Sequence, residues 1–201
     1  MNYENAGDVL PERERMMEMK LPLFIITGAS GVGKTTVMHE LRKQLPEFVL
    51  FSTDDDHFGT TGKKLEYQDR YNLLLHAAHA VAWSGRGTVI CGTMMPWDAE
   101  KCDVYDAFSE VHFINLHCDD ATRNARLRGR EDAATWTEDM LRQHEVFAQW
   151  LLDHAETDYD PPMPTFDSAS TPPAQLAEQL KEYITLKWQE SVGKEEKSKV
   201  E

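Results

Sequence analysis

Cationic side chains are scarce in this chain: 21 Lys and Arg stand against 35 Asp and Glu, giving a net charge of −14 and a pI near 5.0. Backbone binding of nucleic acid and attachment to anionic membrane surfaces both need an excess of positive charge, so neither is expected. A local basic pocket for a small phosphate ligand is compatible with the same total. Cysteine is scarce too. Cys91, Cys102 and Cys118 form no CxxC pair and no zinc pattern, which points to a reduced, cytoplasmic setting. No stretch approaches the ~20 apolar residues of a membrane helix. Residues 1–20 carry eight charges and no apolar run, unlike a secretory leader.

What is present is a regular texture. With 201 residues, 41% of them apolar, the chain is long enough for one domain that folds without a cross-link. Leu21–Thr27 is an apolar run rich in β-branched residues and followed by glycine, the pattern of a strand buried on both faces. Phe48–Ser52, Thr88–Cys91 and Val111–Leu116 repeat it, and Pro164–Phe166 is a weaker fifth. Helical patterns alternate with them at Thr35–Gln44, Leu65–Ser84, Ala99–Phe108, Ala121–Arg128, Glu138–His154 and Gln175–Gln189, the last with Thr171 as N-cap and Pro172 in its first turn. Alternating strands and helices predict crossover connections and a parallel sheet in a three-layer α/β fold. Residues 1–20 read as a charged arm, 21–190 as the domain and 191–201 as a flexible tail.

Gly28-Ala29-Ser30-Gly31-Val32-Gly33-Lys34-Thr35 matches G-x-x-x-x-G-K-[ST], directly after the first strand and directly before a helix. Its glycines let successive backbone N–H groups turn inward around a phosphate, and the helix N-terminus adds partial positive charge. Lys34 is expected to reach the outer phosphates and Thr35 to ligate Mg²⁺, with Thr36 also in the nucleotide site. This spacing predicts a nucleoside-triphosphate site.

The second strand ends in Asp54-Asp55-Asp56-His57, where functional groups gather in open parallel sheets. Carboxylates facing a triphosphate serve either to hold Mg²⁺ or to accept a hydroxyl proton. Asp54 is the first choice for the general base and Asp56 the second, with Asp54 also touching the metal; the alternative is a solvated acidic turn. His57 either bonds an acceptor hydroxyl or is a loop histidine. Strand three ends in Cys91-Gly92-Thr93, without the Asp of a motor or GTPase, and no NKxD sequence occurs. Gly92 and Thr93 offer acceptor contacts or simply a tight turn. Arg123, Arg126 and Arg130 share one helical face at spacings of three and four, predicting a lid over the nucleotide at about residues 126–150. Tyr71 and Trp97 are the aromatic candidates for stacking on a base. Phe147, Trp150 and Leu151 have core spacing, and His76 and His79 lack the partners of a metal site.

In these motifs the chain resembles the small P-loop kinases of the nucleoside-monophosphate-kinase type, most of all the branch of shikimate, gluconate and nucleoside-like kinases. The resemblance spans about residues 21–188. It implies a five-stranded sheet in the order 2-3-1-4-5, ATP with Mg²⁺, and transfer to a small acceptor. It implies further that Asp54 or Asp56 contacts the acceptor hydroxyl, that Arg126 and Arg130 contact ATP phosphates, and that Phe166-Asp167-Ser168-Ala169 is the adenine loop, placing Asp167 and Ser168 in the cofactor site. The chain departs from the adenylate type in carrying CGTMMP at strand three and no arginine after strand two before Arg70.

The expectation is therefore an ATP-dependent kinase acting on a hydroxyl of a small uncharged or sugar-like acceptor, a nucleoside among the candidates, in a monomer or homodimer. A nucleoside-monophosphate kinase is the alternative, requiring Arg42, Arg70 and Arg86 to converge. An ATP-binding regulatory switch is the alternative of another class.

Overall fold

A computed structural model describes residues 20–54 and 65–198. The strands are β1 (Leu23–Thr27), β2 (Phe48–Ser52), β3 (Gly87–Cys91), β4 (Val111–His117) and β5 (Thr165–Asp167). The helices are α1 (Lys34–Gln44), α2 (Tyr67–Ala82), α3 (Pro96–Ala99), α4 (Asp120–Arg128), α5 (Glu138–His154) and α6 (Pro173–Ser198). The strands form one sheet in the order β2-β3-β1-β4-β5, with every pair parallel, as expected.

β1 lies at the centre, with Ile25 opposite Ile90 on β3 and Phe113 on β4. All five residues of β1 and of β3 are buried, which is why their sequences run apolar without alternation. Successive side chains still point to opposite faces. Phe24 and Ile26 pack with Met38 and Leu41 of α1 and Leu180 and Ile184 of α6, whereas Leu23 and Ile25 pack with Leu74 and Leu75 of α2 and Leu151 of α5. Each such fully buried side chain contributes on the order of 1.5–3 kcal/mol, so the two layers together fix the central strands. The carboxyl ends of β1 to β4 therefore emerge from a rigid edge.

Three expectations need correction. The helix expected over Ala99–Phe108 is only the four-residue α3 and a 3₁₀ turn at Tyr105–Ala107. Pro96 begins the helix early, with the Asp98 carboxylate accepting the Met95 N–H at 3.2 Å, and the Asp103 N–H donates to Asn72 Oδ1 at 2.9 Å instead of continuing a helical ladder. The final helix starts at Pro173, so Thr171 is not its cap, and runs beyond Gln189 to Ser198. Buried Ser191 donates to Glu110 Oε2 at 2.6 Å and Lys194 to Glu110 Oε1 at 2.8 Å; these bonds to the start of β4 hold what local composition alone would let fray. The last strand is shifted by one residue, because Pro164 has no N–H and joins the ladder only through its carbonyl, which accepts the Asn115 N–H. The charged arm 1–19 and the acidic residues Asp55 and Asp56 with His57 lie outside the described residues.

Candidate active site

The phosphate loop leaves β1 and enters α1 through Gly28, Gly31 and Gly33, all at positive φ. At two of these positions glycine is required twice over. A Cβ on Gly28 would lie 2.4 Å from the Leu116 carbonyl oxygen, and one on Gly31 would lie 2.7 Å from Arg123 Cγ. Lys34 curls back over the loop, its Nζ donating to Gly28 O at 2.6 Å and Ala29 O at 3.0 Å. Burial lowers its pKa from 10.5 to about 8, against the attraction of nearby Asp54 and with a smaller push in the same direction from Arg130.

Two cavities flank this loop and share Gly31, Gly33 and Arg130. The first, about 500 Å³, is walled by Val37, Pro173 and Leu176 and edged by Thr36, Arg126 and Ser168. Arg126 is fixed there, its guanidinium donating to Ser168 O at 2.7 Å, to Ser168 Oγ at 3.2 Å and to Val32 O at 3.4 Å. The second, about 410 Å³, holds Lys34, Thr35, Asp54 and Thr93 among the rings of Tyr67, Tyr71, Trp136 and His144. Asp54 sits at the end of β2, its N–H donating to Ser52 Oγ at 3.1 Å. Thr93 Oγ1 donates to Gly28 O at 3.5 Å, while its carbonyl accepts the Tyr71 hydroxyl at 2.6 Å. Burial foremost, then Asp98, raise the pKa of Tyr71 to about 12, so this hydroxyl remains a donor.

Some expected residues have other places. Asp167 lines neither cavity; its carboxylate accepts the Ala169 N–H at 2.8 Å and the Ser170 hydroxyl, and those bonds hold its pKa low. Gly92 also lines neither. A Cβ there would overlap Thr53 Oγ1, so its place is to let the ends of β2 and β3 approach. Arg70 donates to Thr53 O at 2.8 Å, from behind the cavity wall. Trp97 is exposed, meets Trp150 edge-on and lines neither cavity. Arg123 does not join the lid: it is fully buried beneath Gly31, one arm on Asp120 at 2.7 Å and its Nε and Nη1 without partners among the described residues. The missing Cβ of Gly31 is what makes room for it.

Sequence reasoning missed Tyr67, Met140 and His144 of the second cavity and Val37, Thr171, Pro173 and Leu176 of the first. It also gave Trp136 no role in the site. His144 Nδ1 accepts the Ser30 N–H at 3.4 Å and its ring lies 5.4 Å from that of Trp136. Burial first, then Lys34 and Arg123, lower its pKa. The four-residue spacing from Met140 to His144 on α5 was the one signal that they share a face.

Among curated proteins no sequence matches the chain. Solved structures do match. Shikimate kinase from Acinetobacter baumannii, solved with shikimate, is 15% identical with a TM-score of 0.53, covering 86% of this chain and 97% of that one. A kinase-like protein from Chloroflexus aurantiacus is 16% identical with a TM-score of 0.57, covering 83% and 98%. At such identity the likeness is one of fold, and the fold is that of the small P-loop kinases. The family model described as AAA domain matches residues 23–152, and the chain belongs to that family.

Proposed function

We propose that the protein transfers the γ-phosphoryl group of ATP to a hydroxyl of a small uncharged or sugar-like acceptor, a nucleoside being one form. The observation that carries this reading is the pair of cavities meeting at Gly31, Gly33 and Arg130, with a carboxylate in only one of them among the described residues. The base and sugar of ATP suit the cavity walled by Val37, Pro173 and Leu176, and the triphosphate suits the loop between. There Lys34 would exchange the carbonyls of Gly28 and Ala29 for phosphate oxygens, recovering full charge as it does so. In the second cavity Asp54 would orient the acceptor hydroxyl and take its proton as the oxygen bonds to the γ-phosphorus and the bond to ADP breaks. Arg130, common to both cavities, would neutralise charge on the group in transit. Thr35 and Asp54 give the same cavity hard oxygen donors, which fit Mg²⁺. When bound, that ion would offset phosphate charge.

The charge pattern favours an unphosphorylated acceptor over a nucleoside monophosphate. Among the described residues lining the second cavity the cations are Lys34 and Arg130, both owed to ATP. Arg42, Arg70 and Arg86 instead donate to the carbonyls of Leu50, Thr53 and Pro46. ADP release from Mg·ATP, measured across nucleosides, monophosphates, sugars and sugar acids with Asp54→Asn and Lys34→Ala as controls, tests the reading. Turnover with one uncharged hydroxyl compound, lost in both variants, supports it. A response to monophosphates alone refutes the acceptor class. Silence across the panel despite tight ATP binding replaces the kinase with an ATP-binding switch.

A further inference from the structure

We propose that His144 is a specificity-determining residue of the acceptor cavity: held through Nδ1 by the phosphate loop, it presents Nε2–H to a lone pair on the acceptor, a carbonyl oxygen or ring nitrogen. This rests on the kinase reading and narrows its acceptor. The Ser30 N–H donates to Nδ1, so that nitrogen bears no proton and a neutral ring carries its hydrogen on Nε2. Ser30 and His144 both line the second cavity and neither lines the first, so the bond ties α5 to the acceptor side of the loop. Among the described residues Nε2 has no hydrogen-bond partner. Trp136, whose ring lies 5.4 Å away in the same wall, has a buried Nε1–H that is likewise unpartnered. An N–H without a partner on His144, in a cavity that also holds the rings of Tyr67, Tyr71 and Trp136 and the carboxylate of Asp54, matches an acceptor that offers a lone pair on a flat edge as well as a hydroxyl.

The neutral ring is favoured by its surroundings. Lys34 from the loop and Arg123 from α4 are the cations acting on this ring; Arg130 lines the same cavity, and among the described residues Asp54 is the carboxylate lining it. Protonation would put a hydrogen on Nδ1 against the Ser30 N–H and break the tie. Acceptor binding is therefore lost as pH falls through a histidine pKa below 6.5, and is retained above it.

The test compares wild type, His144→Phe and His144→Gln for acceptor KM, kcat, Mg·ATP affinity and thermal unfolding, using whichever compound of the nucleoside, sugar and sugar-acid panel turns over. His144→Phe keeps the ring volume and loses both nitrogens; the acceptor KM should rise about five- to tenfold, the value of one neutral hydrogen bond, with Mg·ATP affinity unchanged within about threefold. His144→Gln restores an N–H donor and should recover most of that KM. The acid limb of kcat/KM assigned to the histidine should be missing in it. Imidazole ¹⁵N spectra of the wild type should show the Nε2–H tautomer. An unaltered acceptor KM in His144→Phe, an equal loss of ATP affinity, or the Nδ1–H tautomer overturns the proposal while leaving the kinase standing. A wild type that turns over no acceptor refutes the kinase reading, and this proposal falls with it.

Discussion

Lys34 is held in the empty loop at a cost that a pH titration of stability should expose. Its pKa falls from 10.5 to about 8, chiefly because burial disfavours the charged amine. In the unfolded chain the same lysine keeps its proton up to about pH 10.5. Between those values the unfolded state binds more protons, so folding becomes more favourable as pH rises. Below pH 8 both states are protonated and the full penalty applies. The limiting size is about 3.4 kcal/mol, reduced to about 1–3 kcal/mol by the partial solvent access of a loop residue. Lys34→Met removes the titration and keeps the bulk. The free energy of unfolding of wild type minus that of Lys34→Met, measured by urea denaturation without ATP, should therefore climb by about 1–3 kcal/mol between pH 7 and pH 10.5. Taking the difference cancels titrating groups that do not sense Lys34 and any constant effect of the methionine. Mg·ATP should raise the wild-type melting temperature at pH 7 and leave that of the variant unmoved. A difference that stays flat across the titration would refute the account of Lys34 as a desolvated amine waiting for phosphate.

Asp54→Asn should cut turnover about 10²- to 10⁴-fold while Mg·ATP affinity changes little, as read by single-turnover kinetics and calorimetry. Gly31→Ala would force a side chain into positive φ against Arg123 Cγ, and should lose about 2–4 kcal/mol in denaturant melts along with ATP binding. Ile25→Ala, at the fully buried centre of the sheet, should lose about 2–5 kcal/mol with little change in ATP affinity per folded molecule. Ser191→Ala should free the end of α6 from Glu110; hydrogen exchange beyond Ser191 should speed up for a loss of about 1 kcal/mol.

The strands and the phosphate loop were legible because their causes are local. A strand buried on both faces must be apolar at every position, as β1 and β3 are, and the turn from β1 into α1 needs glycine at fixed offsets. The strand order was legible through the resemblance. What stayed hidden depends on contacts between distant segments. Asn72 and Asp103 are 31 residues apart, and their bond replaces the helix expected after Ala99. Ser30 and His144 are 114 apart, so nothing near His144 announces a place in the second cavity. Arg123 misled the reading in a different way. Helical spacing grouped it with Arg126 and Arg130, but α4 ends at Arg128, Arg130 lies past it, and Arg123 is buried beneath Gly31 instead of sharing their cavity edge.

The buried position of Arg123 also bears on how so acidic a chain can hold a triphosphate. The net charge of −14 repels anions at long range, so affinity has to come from cations set close to the phosphates. Arg123 lies directly under Gly31 with Nε and Nη1 unpaired, and Lys34 lies over the loop with its pKa lowered. Both are unfavourable for the empty fold, since a desolvated cation without a full partner destabilises it. Under the kinase reading, an arriving triphosphate would relieve that term at Lys34, because charges screened weakly by the protein interior attract strongly over a few ångströms. On that reading Lys34 would supply the close positive charge at the phosphates, with the Arg123 stem supporting Gly31 from below. The apolar layers on both faces of the sheet supply the stability that lets the fold carry two such desolvated cations.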